Sequence, residues 1–262
     1  MLSTLLIYIL FNLWRDKNME IAQYVFGTLA SLLMVSICIP QIIQTLKTKS
    51  VGNVAYSTFI IYFFGGFIFV LTMLLKDGVG TYGLSDPLVN IIGNVTFAIL
   101  MAFTITLFFI YDKKTNKVFK IGIGSLLWIL ALSGLVFFIV VYANKNARTN
   151  LGPDNGWMIA MSVIATCCCA LPFTIQIVKT IKSKSADGLS LPMLYLGIVL
   201  NALLCIYLGL VVPFNTATWY VYVIFQLVAI AVYVVQTYLY YHFKNKAKNV
   251  QSEQEVQIET NN

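Results

Sequence analysis

Apolar residues run along this chain in seven long blocks separated by short polar connectors, and none of the blocks shows the alternation of a strand. A helix needs about 20 apolar residues to cross the hydrocarbon core of a bilayer. Lipid accepts only helices or closed barrels, because every backbone polar group must be satisfied there. The pattern therefore predicts an all-α integral membrane protein with seven transmembrane helices. The predicted spans are Met19–Ile43, Ser57–Leu75, Pro87–Tyr111, Phe119–Tyr142, Trp157–Ile177, Leu191–Pro213 and Ala217–Tyr241.

The composition agrees with this prediction. Of the 262 residues, 59% are hydrophobic and 10% are charged, whereas a soluble domain carries about 25% charged residues. The net charge of +7 would suggest nucleic-acid binding in a soluble domain. Here the basic residues lie in the connectors, so we expect a lipid bilayer as the partner and no nucleic acid.

The distribution of basic residues predicts the orientation. Connectors on the side of the amino terminus carry five Lys and Arg residues, and those on the other side carry twelve. Because cytoplasmic loops are enriched in Lys and Arg, we expect a multi-pass cell-membrane protein with its amino terminus outside and its carboxyl terminus in the cytoplasm.

A polar motif closes two of the apolar blocks. Gln41–Ser50 and Gln176–Ser185, which lie 135 residues apart, are identical at six of ten positions. Each copy ends a predicted span and leads through a short basic loop into the next one. The chain therefore contains an internal repeat of three spans, with a fourth span left between the copies.

The fourth span determines how the two copies are oriented. A unit of three spans followed directly by its copy would be inverted in the membrane, and one extra crossing restores the same orientation. We therefore predict two parallel three-helix bundles joined by a linker helix, a 3+1+3 arrangement. The predicted regions are an N-terminal segment (1–18), a first repeat (19–111), a linker helix with its loops (112–156), a second repeat (157–242) and a cytoplasmic tail (243–262).

Both ends of the chain differ from the spans. The first 18 residues are too short an apolar run to span comfortably, so they are either an interfacial segment, an uncleaved anchor or untranslated sequence upstream of a start at Met19. The polar tail lacks aromatic residues, and its composition is typical of a disordered segment.

The stretches "PQIIQTLKTKSVGNVAYSTF" and "IQIVKTIKSKSADGLSLPML" resemble the PQ-loop repeat of SWEET and SemiSWEET transporters, and the resemblance covers Met19 to His242. It implies alternating access, with prolines as hinges between two states. The implied hinge or gate residues are Pro40, Gln41, Pro172, Gln176 and Pro192. A proline inside a helix removes a backbone hydrogen bond and kinks it, and we expect both glutamines to satisfy backbone at the joint or to line the cytoplasmic mouth.

Polar side chains deep in the predicted spans are few. Asn201 and Gln226 lie near the middle of their spans, and Asn90 and Asn94 share one helix face. An amide offers donors and an acceptor without a charge, which suits a neutral polyhydroxyl ligand. The alternative for each amide is an interhelical hydrogen bond, which contributes about 0.6 kcal/mol on average.

In the family that the chain resembles, a tryptophan often lies above the sugar on the second helix of a repeat, and this sequence lacks that tryptophan. Phe69 and Leu204 occupy the corresponding positions, with Tyr207 nearby. We therefore take Asn94, Asn201, Gln226, Asn90 and Tyr207 as the candidate substrate-binding residues.

The absence of certain residues predicts the mechanism. Proton-coupled carriers generally need an ionisable group within the membrane, and the predicted spans hold no Asp, Glu, Lys, Arg or His at depth. We expect an uncoupled uniporter without a cofactor, metal or catalytic residue. The run Cys167–Cys169 is interpreted as a packing surface.

The leading hypothesis is a facilitative carrier of a small neutral solute, with a sugar as the favoured substrate. The alternatives are an exporter of amino acids or other metabolites and a membrane receptor that binds a ligand without passing it. The sequence leaves open whether the chain acts alone or as a homo-oligomer.

Overall fold

The computed structural model describes residues 2–76, 79–80, 86–152, 155–212, 214 and 216–260, with side chains from residue 18 to residue 245 within those ranges. This part of the chain is built from α-helices and one short 3-10 helix, Lys145–Ala147. The α-helices are α1 (Leu2–Thr48), α2 (Tyr56–Leu75), α3 (Leu88–Tyr111), α4 (Lys117–Ala143), α5 (Gly156–Ala170), α6 (Pro172–Ser183), α7 (Leu191–Val211) and α8 (Ala217–Thr260).

These helices form seven candidate membrane spans among the described residues, because α5 and α6 together make one span, Gly156–Ser183. The all-helical, seven-span fold class predicted from the sequence is therefore confirmed. The first span, Asn18–Thr48, is the later part of helix α1, which begins at Leu2. Helix α8 continues to Thr260, through the segment for which composition predicts a disordered tail.

Each repeat places its third helix between its first and second helices. In the first repeat α3 packs against both α1 and α2, and in the second repeat α8 packs against α7 and against the broken span α5–α6. The two repeats meet through α1 on α7 and through α2 on α5 and α6. The first helix of each repeat thus lies against the second helix of the other.

Helix α4 packs on the first repeat, against α2 and α3. The Trp128 indole Nε1 donates to the Thr106 hydroxyl at 3.0 Å, and the Tyr142 hydroxyl donates to the Asp86 carboxylate at 2.6 Å. On its outer face Ile121 and Ile129 are about two-thirds exposed. In a bilayer such an apolar face is in contact with lipid.

Candidate functional site

The loop after α1 and the loop after α6 contact each other at one end of the molecule. The Asn53 backbone N–H donates to the Asp187 carbonyl at 2.8 Å. Gly52 and Gly188 have φ values of +58° and +82°, and a Cβ on Gly188 would lie 2.2 Å from the Val51 carbonyl oxygen. Glycine tolerates both the backbone conformation and the close approach. Because both copies of the motif end here, the repeated helices α1 and α6 run in the same direction.

Gln41 joins the first repeat to the loop of the second. Its side chain is fully buried. Its Nε2 donates to the Gly188 carbonyl at 2.9 Å, and its Oε1 accepts from the Ser190 N–H at 3.0 Å. The same Nε2 lies 3.4 Å from the Thr45 hydroxyl, one helical turn further along α1.

Gln176 makes the matching contacts in the opposite sense. Its Nε2 donates to the Asn53 carbonyl at 3.2 Å, and its Oε1 accepts from the Ala55 N–H at 2.7 Å. Its Nε2 also donates to the Thr180 hydroxyl at 3.2 Å. Every partner is related to its counterpart around Gln41 by the same 135-residue offset. We call these two glutamines, with the loop backbone that they bind, the glutamine brace.

The brace refines the expected role of both glutamines. The sequence suggests that they satisfy backbone groups at the proline joint or line the cytoplasmic mouth. The structure places their amides on backbone groups of the opposite repeat. Each therefore fastens one half of the molecule to the other at the end where the loops lie.

The three proposed hinge prolines lie in different backbone settings. Pro40 is inside α1, which continues through it without a break. Pro172 begins α6 after a bend at Leu171, so it separates the two parts of its span. Pro192 is in the first turn of α7, where the missing N–H has no intrahelical acceptor to lose.

Near the brace, Asp112 ends α3 just outside the predicted membrane span. Partial desolvation raises the pKa of its carboxyl. Hydrogen bonds that the carboxylate accepts from the Thr115 and Tyr56 hydroxyls and from the Lys114 and Thr115 backbone N–H groups lower the pKa to about 2 overall. The carboxylate therefore stays ionised at neutral pH. It is surrounded by Lys113, Lys114 and Lys179, which line the same surface cavity of about 520 Å³.

Asn94, Asn201 and Gln226 all line one cavity between the two repeats. Its volume is about 30 Å³, which is room for water but far less than the volume of a typical ligand site. The three amides come from α3, α7 and α8, and each is at least 95% buried. We call this space the central cavity. Its other lining residues are Met34, Tyr62, Gly66, Phe69, Met73, Phe97, Cys169, Leu200, Leu204 and Leu208.

The hydrogen bonds of the three amides leave an acceptor available. The Asn94 Nδ2 donates to the Asn90 carbonyl at 2.9 Å, and the Asn201 Nδ2 donates to the Gly197 carbonyl at 2.6 Å. The Oε1 of Gln226 is buried and has no hydrogen-bond partner. Buried polar atoms in native proteins are nearly always satisfied, so this oxygen is suited to accept a hydrogen bond from a ligand or a water molecule.

A wider cavity of about 280 Å³ lies at the end of the molecule opposite the glutamine brace. Met73 and Leu208 line both this outer cavity and the central cavity. At the loop end, neither the cavity beside Asp112 nor a second surface cavity beside Gln44 shares a lining residue with the central cavity. The central cavity thus adjoins the outer cavity at one end of the molecule, and the glutamine brace lies at the other end.

Tyr207 and Asn90 do not line the central cavity. Tyr207 lines the outer cavity, and both residues line a small pocket beside Gln23. The Asn90 Oδ1 accepts a hydrogen bond from the Ser31 hydroxyl at 3.2 Å. Asn90 therefore makes an interhelical hydrogen bond between α3 and α1, as the alternative interpretation of the amides anticipates.

Several lining residues of the central cavity are missing from the sequence-based candidates. Tyr62 and Phe97, whose rings meet edge to face at 5.1 Å between centroids, form one wall. Cys169 also lines the cavity. The sequence analysis assigns the run Cys167–Cys169 no role other than packing. The repeat offset could have located it, since Cys169 corresponds to Met34, and both line the cavity.

This molecule is a helical membrane protein with seven apolar spans in its described part. The contacts of Gln41 recur at Gln176, 135 residues later, so it is built on an internal repeat. The family model of the PQ loop repeat matches residues 22–81 and 157–212. The described part of the chain thus has seven candidate membrane spans and two regions that are similar to the PQ loop repeat. Comparison with curated proteins and with solved structures gave no match.

Proposed function

We propose that this protein is a facilitative carrier that moves a small neutral solute, a sugar by preference, through the bilayer by alternating access. The observation that carries the proposal is the convergence of Asn94, Asn201 and Gln226 on one cavity between the repeats. Polar side chains within membrane spans commonly mark a solute pathway. The unpartnered Gln226 oxygen favours a ligand that donates hydrogen bonds, and sugar hydroxyls do so.

The arrangement of the cavities supports a conformation in which the central cavity is accessible from one end of the molecule and closed at the other. The outer cavity adjoins the central cavity, while the glutamine brace ties the two repeats together at the loop end. We assign this conformation to a carrier that faces the outer cavity. From the charge distribution we infer that the loop end is cytoplasmic and that the amino terminus is outside, in the cell membrane.

The helix contacts support the 3+1+3 arrangement. Helix α4 packs on the first repeat, and the two repeats contact each other through corresponding pairs of helices. We infer that each repeat moves as a bundle, with α4 accompanying the first. Rocking of one bundle against the other would open the brace and close the outer cavity.

The central cavity is too small for a sugar, so the proposed movement of the bundles must enlarge it. Ligand sites usually occupy about 300 to 1,000 Å³, whereas the central cavity is about 30 Å³. The bundles must therefore separate before a sugar fits between the amides. The wider outer cavity is the entrance from which that separation would proceed.

The described lining residues of the central cavity include no carboxylate, ammonium, guanidinium or imidazole group. A zwitterionic amino acid would bring two charges into this site, and buried charges need partners. We therefore favour a neutral solute over an amino acid. The same composition supports uncoupled transport, in which the solute gradient alone sets the direction.

The test is uptake by purified protein in liposomes, screened with labelled glucose, alanine and adenosine. The proposal predicts that glucose equilibrates across the bilayer faster than in protein-free liposomes. Uptake of alanine in its place would support the exporter alternative. A protein that binds glucose without equilibrating it would be a receptor, which would contradict the proposal.

A further inference from the structure

Helix α8 carries a line of buried side chains with unpartnered polar atoms. Gln226 Oε1, the Tyr233 hydroxyl and Gln236 Oε1 are all buried and have no hydrogen-bond partner. At 100° per residue, these three positions fall within about 80° of the helix circumference, and they span about 15 Å along it. They therefore form one polar stripe, which begins at the central cavity and runs toward the loop end.

Tyr233 lies where both repeats meet. Its ring is 4.5 Å from the ring of Phe173, measured between centroids, and Phe173 also contacts Tyr62 at 5.8 Å. The Tyr62 hydroxyl lies beside the Tyr233 hydroxyl without forming a hydrogen bond of normal geometry. Aromatic rings thus pack between the two repeats here, and Phe173 directly follows Pro172 at the bend in its span.

Gln236 links the polar stripe to the glutamine brace. Its Nε2 donates to the Thr180 hydroxyl at 3.1 Å. The same hydroxyl oxygen accepts from Gln176 Nε2 at 3.2 Å. Opening of the brace would therefore release the groups that surround Gln236, at the end where a solute must leave.

Leaving a buried polar group without a partner is destabilising. Both the Tyr233 hydroxyl and the Gln236 Oε1 are unpartnered in this conformation, and Tyr233 lies among aromatic rings. A group that is unsatisfied in one conformation can be satisfied by the solute in the other. This explains why polar atoms stand at these two positions of the stripe.

We propose that Tyr233 and Gln236, with Tyr62, form an inner binding station that receives the solute after it leaves the central cavity. The proposal rests on the carrier function proposed above. The station takes the same class of ligand, a neutral solute rich in hydroxyl groups. It is occupied when Phe173 withdraws and the glutamine brace opens.

Tyr233→Phe tests the station, because it removes only the unpartnered hydroxyl. We expect an unchanged or raised melting temperature, since no hydrogen bond is lost. We also expect a maximal rate of glucose uptake in liposomes that is about two- to tenfold lower, which is the equivalent of one hydrogen bond to the solute. Gln236→Met should lower the rate in the same way.

Tyr142→Phe is the matched control, since it removes a hydroxyl that already donates to Asp86 on the linker helix. It should lower the melting temperature and leave the uptake rate unchanged. If Tyr233→Phe lowers the melting temperature instead, the hydroxyl has a structural partner such as a bound water, and the station is refuted. Wild-type uptake rates in both station variants would also refute it. Failure of the wild-type protein to transport glucose would instead overturn the proposed glucose carrier and the station with it.

Discussion

Individual residues decide what the central cavity can recognise. The Oε1 of Gln226 is fully buried and has no hydrogen-bond partner, while both asparagines donate from their nitrogens to their own helix backbone. The oxygen of Gln226 is therefore suited to accept a hydrogen bond from a solute. Asn94 and Asn201 present the remaining polar surface around it.

Replacing Gln226 with Leu should leave the protein folded but lower glucose uptake at low solute concentration by about two- to tenfold, since a hydrogen bond contributes about 0.5 to 1.5 kcal/mol. Radiolabelled uptake in liposomes measures the effect. Gln44→Leu is the matched control, because Gln44 lies on the loop-side surface outside the central cavity. Equal uptake by the two variants would exclude Gln226 from the pathway.

Gly188 should tolerate no side chain. Gly188→Ala combines a positive φ with a Cβ placed 2.2 Å from a carbonyl oxygen, so we expect a loss of stability of more than about 1 kcal/mol. Gly156→Ala is the control, because a Cβ there meets no atom within 4 Å. Thermal unfolding in detergent compares them, and equal melting temperatures would show that the two loops are not held together as described.

The central amides could be chosen as candidates from the sequence, whereas the residues that form the cavity walls could not. Asn94, Asn201 and Gln226 are recognisable because an amide at mid-span is unusual in an apolar helix. Tyr62 and Phe97 are not recognisable in that way, since aromatic residues occur throughout these spans. Tyr62 and Phe97 face the cavity because of the way α2 packs against α3. No local sequence pattern specifies how each helix is rotated about its axis.

At the level of helices, the two halves of the span α5–α6 differ from the continuous helix α1. Pro172 separates α5 from α6, whereas α1 passes through Pro40 unbroken. A bend that already exists can change its angle without breaking further backbone hydrogen bonds. If the proposed carrier moves about its prolines, the second repeat is therefore the half in which we expect the bend to change more easily.

Pro172→Ala should slow turnover more than it weakens solute binding. One additional backbone hydrogen bond would stabilise a straight helix by about 1 kcal/mol, which corresponds to about a fivefold slower rate. Pro40→Ala should slow turnover in the same direction, and Pro192→Ala should have a smaller effect because it lies in a first helical turn. Separate measurement of the maximal rate and the half-saturation concentration checks this, and an unchanged rate for Pro172→Ala would mean that the proline only shapes the packing.

The glutamine brace should behave symmetrically. Gln41→Leu and Gln176→Leu each leave two backbone groups unpaired, at a cost of about 1 to 3 kcal/mol per group, so each should shift the carrier toward opening at the loop end. Distances between spin labels at the exposed residues Lys49 and Lys184 should lengthen to a similar extent in both variants. Opening in only one of them would contradict the reciprocal arrangement, and Gln44→Leu should leave the distances unchanged.

For the whole molecule, the repeat explains more than any single motif. Seven spans and a duplicated polar ending could be predicted from the pattern of apolar residues, and the parallel direction of the copies follows from the fourth span between them. The crossing of each glutamine to the opposite loop could not be predicted. That contact depends on how two bundles 135 residues apart pack together, which no stretch of one repeat encodes by itself.

The whole account depends on a pathway between two parallel bundles that carries a neutral solute without a coupled ion. The most direct measurement is labelled glucose uptake into liposomes, with and without an imposed proton gradient. We predict that glucose equilibrates to the same internal concentration in both conditions and never exceeds the external concentration. Accumulation driven by the proton gradient, or binding without any uptake, would contradict the account.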